Sequence, residues 1–466
     1  MTKTLPKRKM LRYCLADIAK GLFNGMIGNY LLYFFQPTVK SGLPILLPQN
    51  KLLGFITVMA LVTGLGKIVD AVTDPLVASL SDKCRHRAGR RMPFLRAAAI
   101  PYAACVLLIF YAPFAPGSVA NAIWVGVFLV AYYMAYTFFF IPRNALVPEI
   151  IPDAKVRVGY YGISTAFFMG SSSFMYAATL FVDMLKKAGL SPLWAWRTVF
   201  TVFAAIGVTC LLLSAYAFEE KDYVQKSVKP TENLFGSFKQ VFRNKNFLCF
   251  AAGDLFSGVS MAFFQTAMLY YITMLLNVPE SQSFLVMLSA IGVALCLFPL
   301  IIKISRKYNK KAPLVAASVV FTVVFAFIFF GDKIAALAPG HELLVGLALG
   351  VVVAFPFAAI NILPQSVMSD IIQQDSLESG VNREGIFSAT KTFIEKCASA
   401  LAMVVVSSVL AIGASDGASV GLLGVKLTGV FAGGFSLLSL VFFTFYNDKK
   451  VIAYIEQHSG KERENG

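Results

Sequence analysis

The chain has 466 residues, of which 57% are hydrophobic and only 14% are charged. About a quarter of the residues of an ordinary soluble protein are charged, so this composition excludes that class and indicates an integral membrane protein. The net charge of +16 does not mark a nucleic-acid partner, because the Lys and Arg residues stand between apolar runs rather than in one basic patch.

Twelve apolar runs are each long enough to cross the hydrocarbon core of a bilayer, which takes about 20 helical residues. A spanning segment must satisfy its own backbone hydrogen bonds, and these runs are too long for barrel strands, so we predict an all-α protein with twelve transmembrane helices. The runs cover residues 14–38, 52–81, 93–113, 120–147, 158–184, 197–218, 247–276, 283–304, 313–332, 342–371, 386–412 and 422–446.

Basic residues concentrate in the two tails and in the loops that follow even-numbered helices. Roughly 28 Lys and Arg residues lie there against roughly 7 in the other loops, and such a bias marks the cytoplasmic side. We therefore expect both termini in the cytoplasm. The short tails and the absence of an N-x-Ser/Thr acceptor site fit a bacterial inner membrane.

The longest polar connection, residues 219–246, separates two six-helix halves, residues 1–218 and 247–466. Matching pairs occur in the two halves: Ala16-Asp17 resembles Gly253-Asp254, and the end of helix four resembles the end of helix ten. Such parallel repeats are typical of the major facilitator fold, in which substrate binds between the halves near the midplane. We expect the connection to be a cytoplasmic linker.

Helix two carries three charges, Lys67, Asp70 and Asp74, in a segment that should cross the bilayer. Each costs about 3 kcal/mol on insertion scales, so their presence calls for a reason. Their spacing places them on one face together with Thr73. The two carboxylates repel each other, and a bound Na⁺ or a proton would relieve that repulsion. The alternative is a buried ion-pair network that only fixes helix two to its neighbours.

A further intramembrane charge, Lys396, lies in helix eleven of the other half. A lysine at this depth can act as an internal cation that pairs with the acidic cluster of helix two or competes for it. We therefore place Lys67 and Lys396 in one charge network with the cation site.

The pattern Asp70-x-x-x-Asp74-Pro75, followed by a basic loop that ends in Gly-Arg-Arg-Met-Pro, resembles the signature of the glycoside-pentoside-hexuronide:cation symporters. These are the melibiose-permease-like branch of the major facilitator superfamily. The likeness continues in residues 141–149, 369–370 and 383–396, and it covers nearly the whole chain. It implies that Asp70, Thr73 and Asp74 are cation ligands and that Lys396 faces their site.

The sugar half of the signature differs. Family members that bind galactosides have acidic and aromatic residues where this chain has Gly21, Phe140, Asn144 and Asn361. An altered pocket is therefore expected, and interhelical hydrogen bonds are the alternative role for each of its polar residues. Arg143 stands apart, because it could hold an anionic group of the substrate or only extend toward the interface. The candidate substrate-binding residues are Asn24, Arg143, Asn144, Asn361, Gln365 and Thr392.

The basic loop after helix two, with Asp82, Arg90 and Arg91, is expected to form a salt-bridge latch on the cytoplasmic side. Its charges also follow from the positive-inside rule alone, and the two explanations are compatible.

Together these features predict a cation-coupled secondary symporter, driven by Na⁺ or H⁺, for a glycoside, an oligosaccharide or a uronate. The alternatives are a carrier of an amphipathic or anionic solute such as a lysolipid and, less favoured, a receptor that does not transport. An enzyme is not expected, since no nucleophile elbow, phosphate loop or metal cluster occurs in the sequence. We expect no cofactor besides the coupling ion, and a monomer whose partners are the bilayer and a small molecule.

Overall fold

The computed structural model describes residues 5–49, 51–52, 56–151, 154–223, 244–307, 309–379, 384–414 and 418–464. At a few of these positions, Asp82 among them, only the backbone is described. This part of the chain is helical except for its connecting loops and one antiparallel hairpin, in which β1 (Lys51–Leu52) pairs with β2 (Ile56–Thr57).

The α-helices of the described chain follow one another in this order: α1 (Lys7–Cys14), α2 (Ala16–Gly25), α3 (Leu31–Phe35), α4 (Val58–Lys83), α5 (Met92–Phe110), α6 (Val119–Ile150), α7 (Ala154–Phe174), α8 (Ala178–Lys187), α9 (Pro192–Ala215), α10 (Lys245–Tyr270), α11 (Ser283–Lys307), α12 (Lys311–Phe329), α13 (Gly331–Leu337), α14 (Glu342–Ser379), α15 (Glu384–Leu410), α16 (Leu422–Phe445) and α17 (Asp448–Glu464).

Within the described residues, ten helical segments are long and apolar enough to cross a membrane. The other two predicted spans are mainly helical but differ in kind. The second is α4, whose interior charges lower its hydropathy; it begins at Val58 and not at residue 52, because Leu52 and Ile56–Thr57 belong to the hairpin. The first span is interrupted, because α2 and α3 are joined by a π-helical segment at Met26–Tyr30. It is preceded by a basic helix, α1, which the sequence did not predict.

The exposed and buried faces of α4 are the reverse of those of a water-soluble helix. Its exposed apolar side chains recur every three or four residues and form one stripe, whereas Asp70 is only 3% exposed and lies away from that stripe. A helix with this pattern presents its apolar stripe to lipid and its charges to the interior of the bundle. The stripe consists of Leu61, Leu65, Ile68, Val72, Leu76 and Leu80.

The chain folds into two compact units. Unit 1 comprises Met1–Lys229 with the short segments Pro279–Phe284 and Met403–Gly421, and unit 2 comprises Pro230–Val278, Leu285–Ala402 and Leu422–Gly466. Residues 224–243 of the predicted linker lie outside the described residues, so its role remains a prediction.

Two sets of polar contacts join the short segments to the rest of unit 1. Lys186 Nζ lies 3.0 Å from Glu280 Oε2. The amide of Gln36 donates to the backbone oxygen of Ser407 at 3.1 Å and accepts from its hydroxyl at 3.1 Å. These contacts connect residues that are up to 371 positions apart in the sequence.

Small residues allow the helices to approach closely, as is typical of membrane bundles. The backbone oxygen of Gly21 accepts a hydrogen bond from the Ser172 hydroxyl, and a Cβ at Gly21 would lie 2.5 Å from the Phe168 carbonyl oxygen. In unit 2, a Cβ at Gly253 would lie 2.5 Å from the ring of Phe443. The helix pairs α2/α7 and α10/α16 therefore depend on glycine at these positions.

Candidate functional site

The residues predicted to bind a cation meet around one threonine of unit 1. Thr137, on α6, has a fully buried side chain, and its Oγ1 lies 3.1 Å from Asp74 Oδ1 and 3.5 Å from Asp70 Oδ1. The Thr73 hydroxyl lies 3.4 Å from Thr137 Oγ1 and donates to the Asp70 backbone oxygen at 3.3 Å. Two carboxylates and two hydroxyls thus converge between α4 and α6.

The chemistry of this cluster fits a hard monovalent cation. Carboxylate and hydroxyl oxygens are the ligand atoms that such ions prefer, and two negative charges one helical turn apart would be relieved by one positive charge. Among the described residues no group of His, Cys, Asp and Glu suits a multivalent metal ion. Because Thr137 lies 63 positions from Asp74 in the sequence, the spacing pattern that identified the carboxylates could not predict it.

Lys67 lies one turn before Asp70 and has an aromatic partner. Its Nζ is 4.8 Å from the centroid of the Tyr133 ring on α6. A cation over the face of a tyrosine is held by about 0.5 to 2 kcal/mol, depending on how far it is desolvated. This contact places the lysine beside the same α4/α6 interface as the carboxylates.

The structure gives Arg143 an internal partner that the sequence analysis did not predict. The side chain is 1% exposed, and its two terminal nitrogens donate to both carboxylate oxygens of Asp17, at 3.1 and 2.7 Å. Asp17 also accepts a hydrogen bond from the Ser164 hydroxyl on α7. The guanidinium is therefore already occupied by a carboxylate, while the substrate role predicted for Arg143 stays a prediction. A search for the opposite charge within the same half would have suggested this pair.

A second basic residue of α2, Lys20, was not predicted as part of the site. Its Nζ lies 5.5 Å from the Phe140 ring centroid and 5.2 Å from that of Phe168, and its side chain is partly buried. Lys20 precedes Gly21, the position at which galactoside-binding relatives were expected to differ. In the sequence, a single basic residue within the first apolar run could have identified Lys20 as a candidate.

The remaining candidate residues for substrate binding are distributed over both units. In unit 1, Asn24 on α2 and Asn144 on α6 are exposed. In unit 2, the Asn361 amide donates to the Phe357 backbone oxygen at 2.8 Å, within its own helix. These side chains are polar and exposed, so they are accessible to a solute. Their role in substrate binding stays a prediction. The exposed candidates of unit 2 are Asn361, Gln365 and Thr392, and Lys396 is partly buried.

The basic loop after α4 is tied by ion pairs and hydrogen bonds to the ends of α6 and α9 in unit 1. Arg90 and Arg91 both pair with Glu149 at the end of α6, at 3.0 and 2.9 Å. Glu220, which follows α9, accepts from the backbone N–H groups of Arg91 and Met92 at 2.8 and 3.0 Å. The side chain of Asp82 lies outside the described residues, so its predicted place in the latch is untested.

A matching arrangement occurs in unit 2. Lys310 pairs with Asp370, near the end of α14, at 2.5 Å. Asp448, which follows α16, accepts from the backbone N–H groups of Lys310 and Lys311 at 2.7 and 3.4 Å. Each unit therefore places a carboxylate from beyond its sixth span at the start of its third span.

This fold and this distribution of intramembrane charge define a secondary transporter of the major facilitator type. Residues 12–446 match the model of the MFS/sugar transport protein family, and the chain belongs to that family. The resemblance to the glycoside-pentoside-hexuronide:cation symporters and the predicted fold class are thereby confirmed, as is the prediction of a multi-pass membrane protein.

Three relatives illustrate the breadth of the family. An uncharacterized symporter of Synechocystis is 24% identical over 88% of this chain and 87% of its own length. The lactose permease of Lactobacillus helveticus is 23% identical over 85% of this chain and 61% of its own length. The isoprimeverose transporter of Lactiplantibacillus pentosus is 21% identical over 98% of this chain and 93% of its own length.

Solved structures agree on the fold. The crystal structure of the nucleoside transporter NupG matches with a TM-score of 0.64 and 15% identity, over 95% of this chain and all of the other. These relatives and this neighbour are transporters, not enzymes.

Proposed function

We propose that the protein is a cation-coupled symporter of a bacterial inner membrane, with both termini in the cytoplasm, that carries a sugar derivative by alternating access. The observation that supports this most directly is the convergence of Asp70, Asp74 and Thr137 inside unit 1, on the side of α4 away from its lipid-facing stripe. An ion pair that only stabilises the fold would need one carboxylate, whereas here two carboxylates lie against the Thr137 hydroxyl. Four oxygen-bearing side chains favour Na⁺, and a proton is the alternative coupling ion.

Each part of the cluster has a defined task. Asp70 and Asp74 supply the charge that attracts the cation, while Thr73 and Thr137 supply neutral oxygens and hold the carboxylates in place. The Lys67 ammonium, held over the Tyr133 ring, can move toward the carboxylates when the cation leaves. Such an exchange would keep the α4/α6 interface nearly neutral in both states, which lowers the cost of moving an empty carrier.

The substrate class follows from the sugar-named relatives and from Lys20. Relatives in this family carry names such as lactose permease and isoprimeverose transporter. Lys20 adds a cation on α2, next to Gly21, that is flanked by the rings of Phe140 on α6 and Phe168 on α7. A positive charge with aromatic rings suits a sugar that bears a carboxylate, so we assign a uronate or a glucuronide-like glycoside ahead of a neutral galactoside.

A second candidate substrate is an anionic lysolipid. An apolar groove of about 330 Å³ lies on unit 1 and is lined by α2 and α7, with Ile18, Leu22 and Phe167 among its residues. A groove of this kind accommodates an acyl chain, and Lys20 on the same helix would take the anionic head group. The carboxylated sugar and the lysolipid both carry a negative charge, but only the lysolipid has an apolar chain.

Transport in proteoliposomes tests the coupling. Asp70→Asn and Asp74→Asn should each abolish solute accumulation driven by a Na⁺ or H⁺ gradient, because the neutral amide no longer attracts the cation. Both variants should still reach the membrane and elute as the wild type does. Asp183→Asn, which removes a carboxylate outside the cluster, serves as the matched control and should accumulate normally. Wild-type accumulation by both cluster variants would overturn the proposal.

The substrate is tested by thermal shift of the purified protein with uronates, glucuronides, neutral glycosides and lysolipids, each with and without Na⁺. Stabilisation by the carboxylated sugars supports the assignment, provided that Lys20→Gln binds these sugars with about tenfold lower affinity. Lys187→Gln is the control for loss of a positive charge. Stabilisation by lysolipids alone supports the second candidate, and stabilisation by neutral glycosides that Lys20→Gln leaves intact overturns the role of Lys20.

A further inference from the structure

Unit 2 contains a group of three ionisable side chains, two of them buried, that the cation cluster does not include. Asp254 on α10 is 8% exposed, and Lys391 on α15 is 6% exposed. Lys391 Nζ lies 3.6 Å from Asp254 Oδ2, and the same ammonium forms an ion pair with Glu395 one turn further along α15. The Glu395 side chain is 52% exposed.

The position of this acid–base triad is deep in the predicted span. Asp254 is nine residues from the start of α10, which corresponds to about 14 Å along the helix axis. The segment Lys245–Leu275 is long and apolar enough to cross a membrane, and Asp254 lies within it. A net charge at this depth is costly unless it is compensated.

With both carboxylates ionised, the triad has a net negative charge. Two carboxylates share one ammonium, and in the described chain Lys391 and Glu395 are the charged groups that act on Asp254. The Ser257 hydroxyl donates to the Asp254 backbone oxygen, and at the preceding residue, Gly253, α16 contributes the uncharged side chains of Phe443 and Ser439. One added positive charge would make the group neutral.

We propose that Asp254 binds and releases a proton, and that Lys391 changes its partner when this happens. A proton from water adds to a carboxylate oxygen of Asp254, the ion pair with Lys391 breaks, and the ammonium stays with Glu395. Release of the proton restores the Asp254 carboxylate, which draws Lys391 back. In the structure the ammonium contacts both carboxylates, so both of the partners that the exchange requires lie within its reach.

A proton fits this group better than a metal cation does. The Lys391 ammonium already occupies the space between the two carboxylates, and it would repel a second cation. Asp70 and Asp74 share the neutral Thr137 hydroxyl, whereas the described partner of the Asp254 carboxylate is the Lys391 ammonium. The two units thus differ in the cation that their acidic groups suit.

Proton binding at Asp254 does not depend on the proposed function, whereas its use in coupling rests on that function. We therefore test it without substrate, by infrared spectroscopy of the full-length protein in proteoliposomes across a pH titration. Other carboxyl groups also absorb when they are protonated, so the signal is the difference between the wild type and Asp254→Asn, in which the wild type should show an additional carboxylic-acid C=O band that grows as pH falls. This band should be lost in Asp254→Asn and retained in the control Asp183→Asn.

Two variants that keep Asp254 give the decisive contrast. Lys391→Gln removes the cation that favours the carboxylate, so the midpoint of the band should move to higher pH by about one to two units. Glu395→Gln frees the ammonium for Asp254, so the midpoint should move to lower pH. This pair of variants also keeps the test decisive if Asp254→Asn fails to fold.

The proposal is overturned if no band depends on Asp254, or if both variants move the midpoint in the same direction. Failure of ion-driven uptake in the cluster variants, by contrast, concerns Asp70 and Asp74 and leaves this result unchanged. If both results hold, transport by the wild type should depend on pH even when Na⁺ is saturating.

Discussion

Asp17 in unit 1 and Asp254 in unit 2 occupy matching places in the repeat but have different environments. Asp17 receives both terminal nitrogens of Arg143 and the Ser164 hydroxyl, so its charge is fully compensated. Asp254 has one ammonium at 3.6 Å, which it shares with Glu395. The repeat keeps the acid in place, while its cation comes from a different helix in each unit. Asp17 forms a pair with one arginine, whereas Asp254 shares its lysine with a second carboxylate.

The largest effect should come from removing Arg143. Arg143→Met leaves Asp17 as an uncompensated buried charge, which costs about 3 to 5 kcal/mol. Lys391→Met should cost less, because Asp254 can take up a proton. Thermal unfolding of the detergent-purified variants measures both, and the double variant Asp17→Asn/Arg143→Gln should recover part of the loss. Equal losses for the two single variants would remove the contrast between the units.

Helix packing should be next in size. Gly21→Ala places a Cβ 2.5 Å from the Phe168 carbonyl oxygen and 2.9 Å from the Ser172 nitrogen, so α2 and α7 must separate. Overpacking of this kind costs about 1 to 3 kcal/mol. Gly28→Ala is the matched control, because its Cβ would meet no atom within 4 Å. The thermal midpoint should fall for Gly21→Ala only, and an equal fall in both variants would contradict the packing argument.

The two units are alike in one respect: a carboxylate that follows the sixth span in unit 1, and the twelfth in unit 2, accepts two backbone hydrogen bonds. Glu220→Gln and Asp448→Asn each replace a charged acceptor of two backbone N–H groups by a neutral one. Each should lower stability by about 1 kcal/mol. Similar shifts in thermal midpoint are expected. A loss confined to one variant would show that this element of the repeat is not equivalent in the two units.

The smallest effect concerns Asp332 in unit 2, outside the described membrane-spanning segments. A hydrogen bond from Lys426, at 2.6 Å, holds the pKa of the Asp332 carboxyl below its usual value near 4. Because the folded-state pKa is lowered, the stabilisation is present above about pH 4 and is lost as pH falls through the lowered pKa.

Asp332→Asn should therefore lower the free energy of unfolding at pH 7 by less than about 1 kcal/mol, since the carboxylate is one-third exposed. The thermal midpoint should fall accordingly. The difference from the wild type should shrink below pH 4. Asp183→Asn, which removes the exposed i, i+4 pair with Lys187 in unit 1, should have no measurable effect at either pH. A deficit in Asp332→Asn that grows on acidification would contradict the assigned cause.

The amino-acid sequence alone was enough to predict the architecture and half of the cation cluster. Hydropathy is a local property summed over about 20 residues, so the spans and the two halves could be found without any contact between helices. Asp70, Thr73 and Asp74 lie within two turns of one helix, where spacing alone determines the shared face. The interruption of the first span at Met26–Tyr30 leaves no comparable trace in the composition.

The partners of these residues could not be found in the same way. Thr137 reaches Asp74 from another helix, Arg143 reaches Asp17 across 126 positions, and Glu220 reaches Arg91 across 129. Local patterns carry no information about which helix faces which. The sequence by itself therefore determined what must lie in the membrane and which face of α4 carries charge. Only the tertiary structure decided which charges are compensated, because ion pairing depends on distances that helix packing sets.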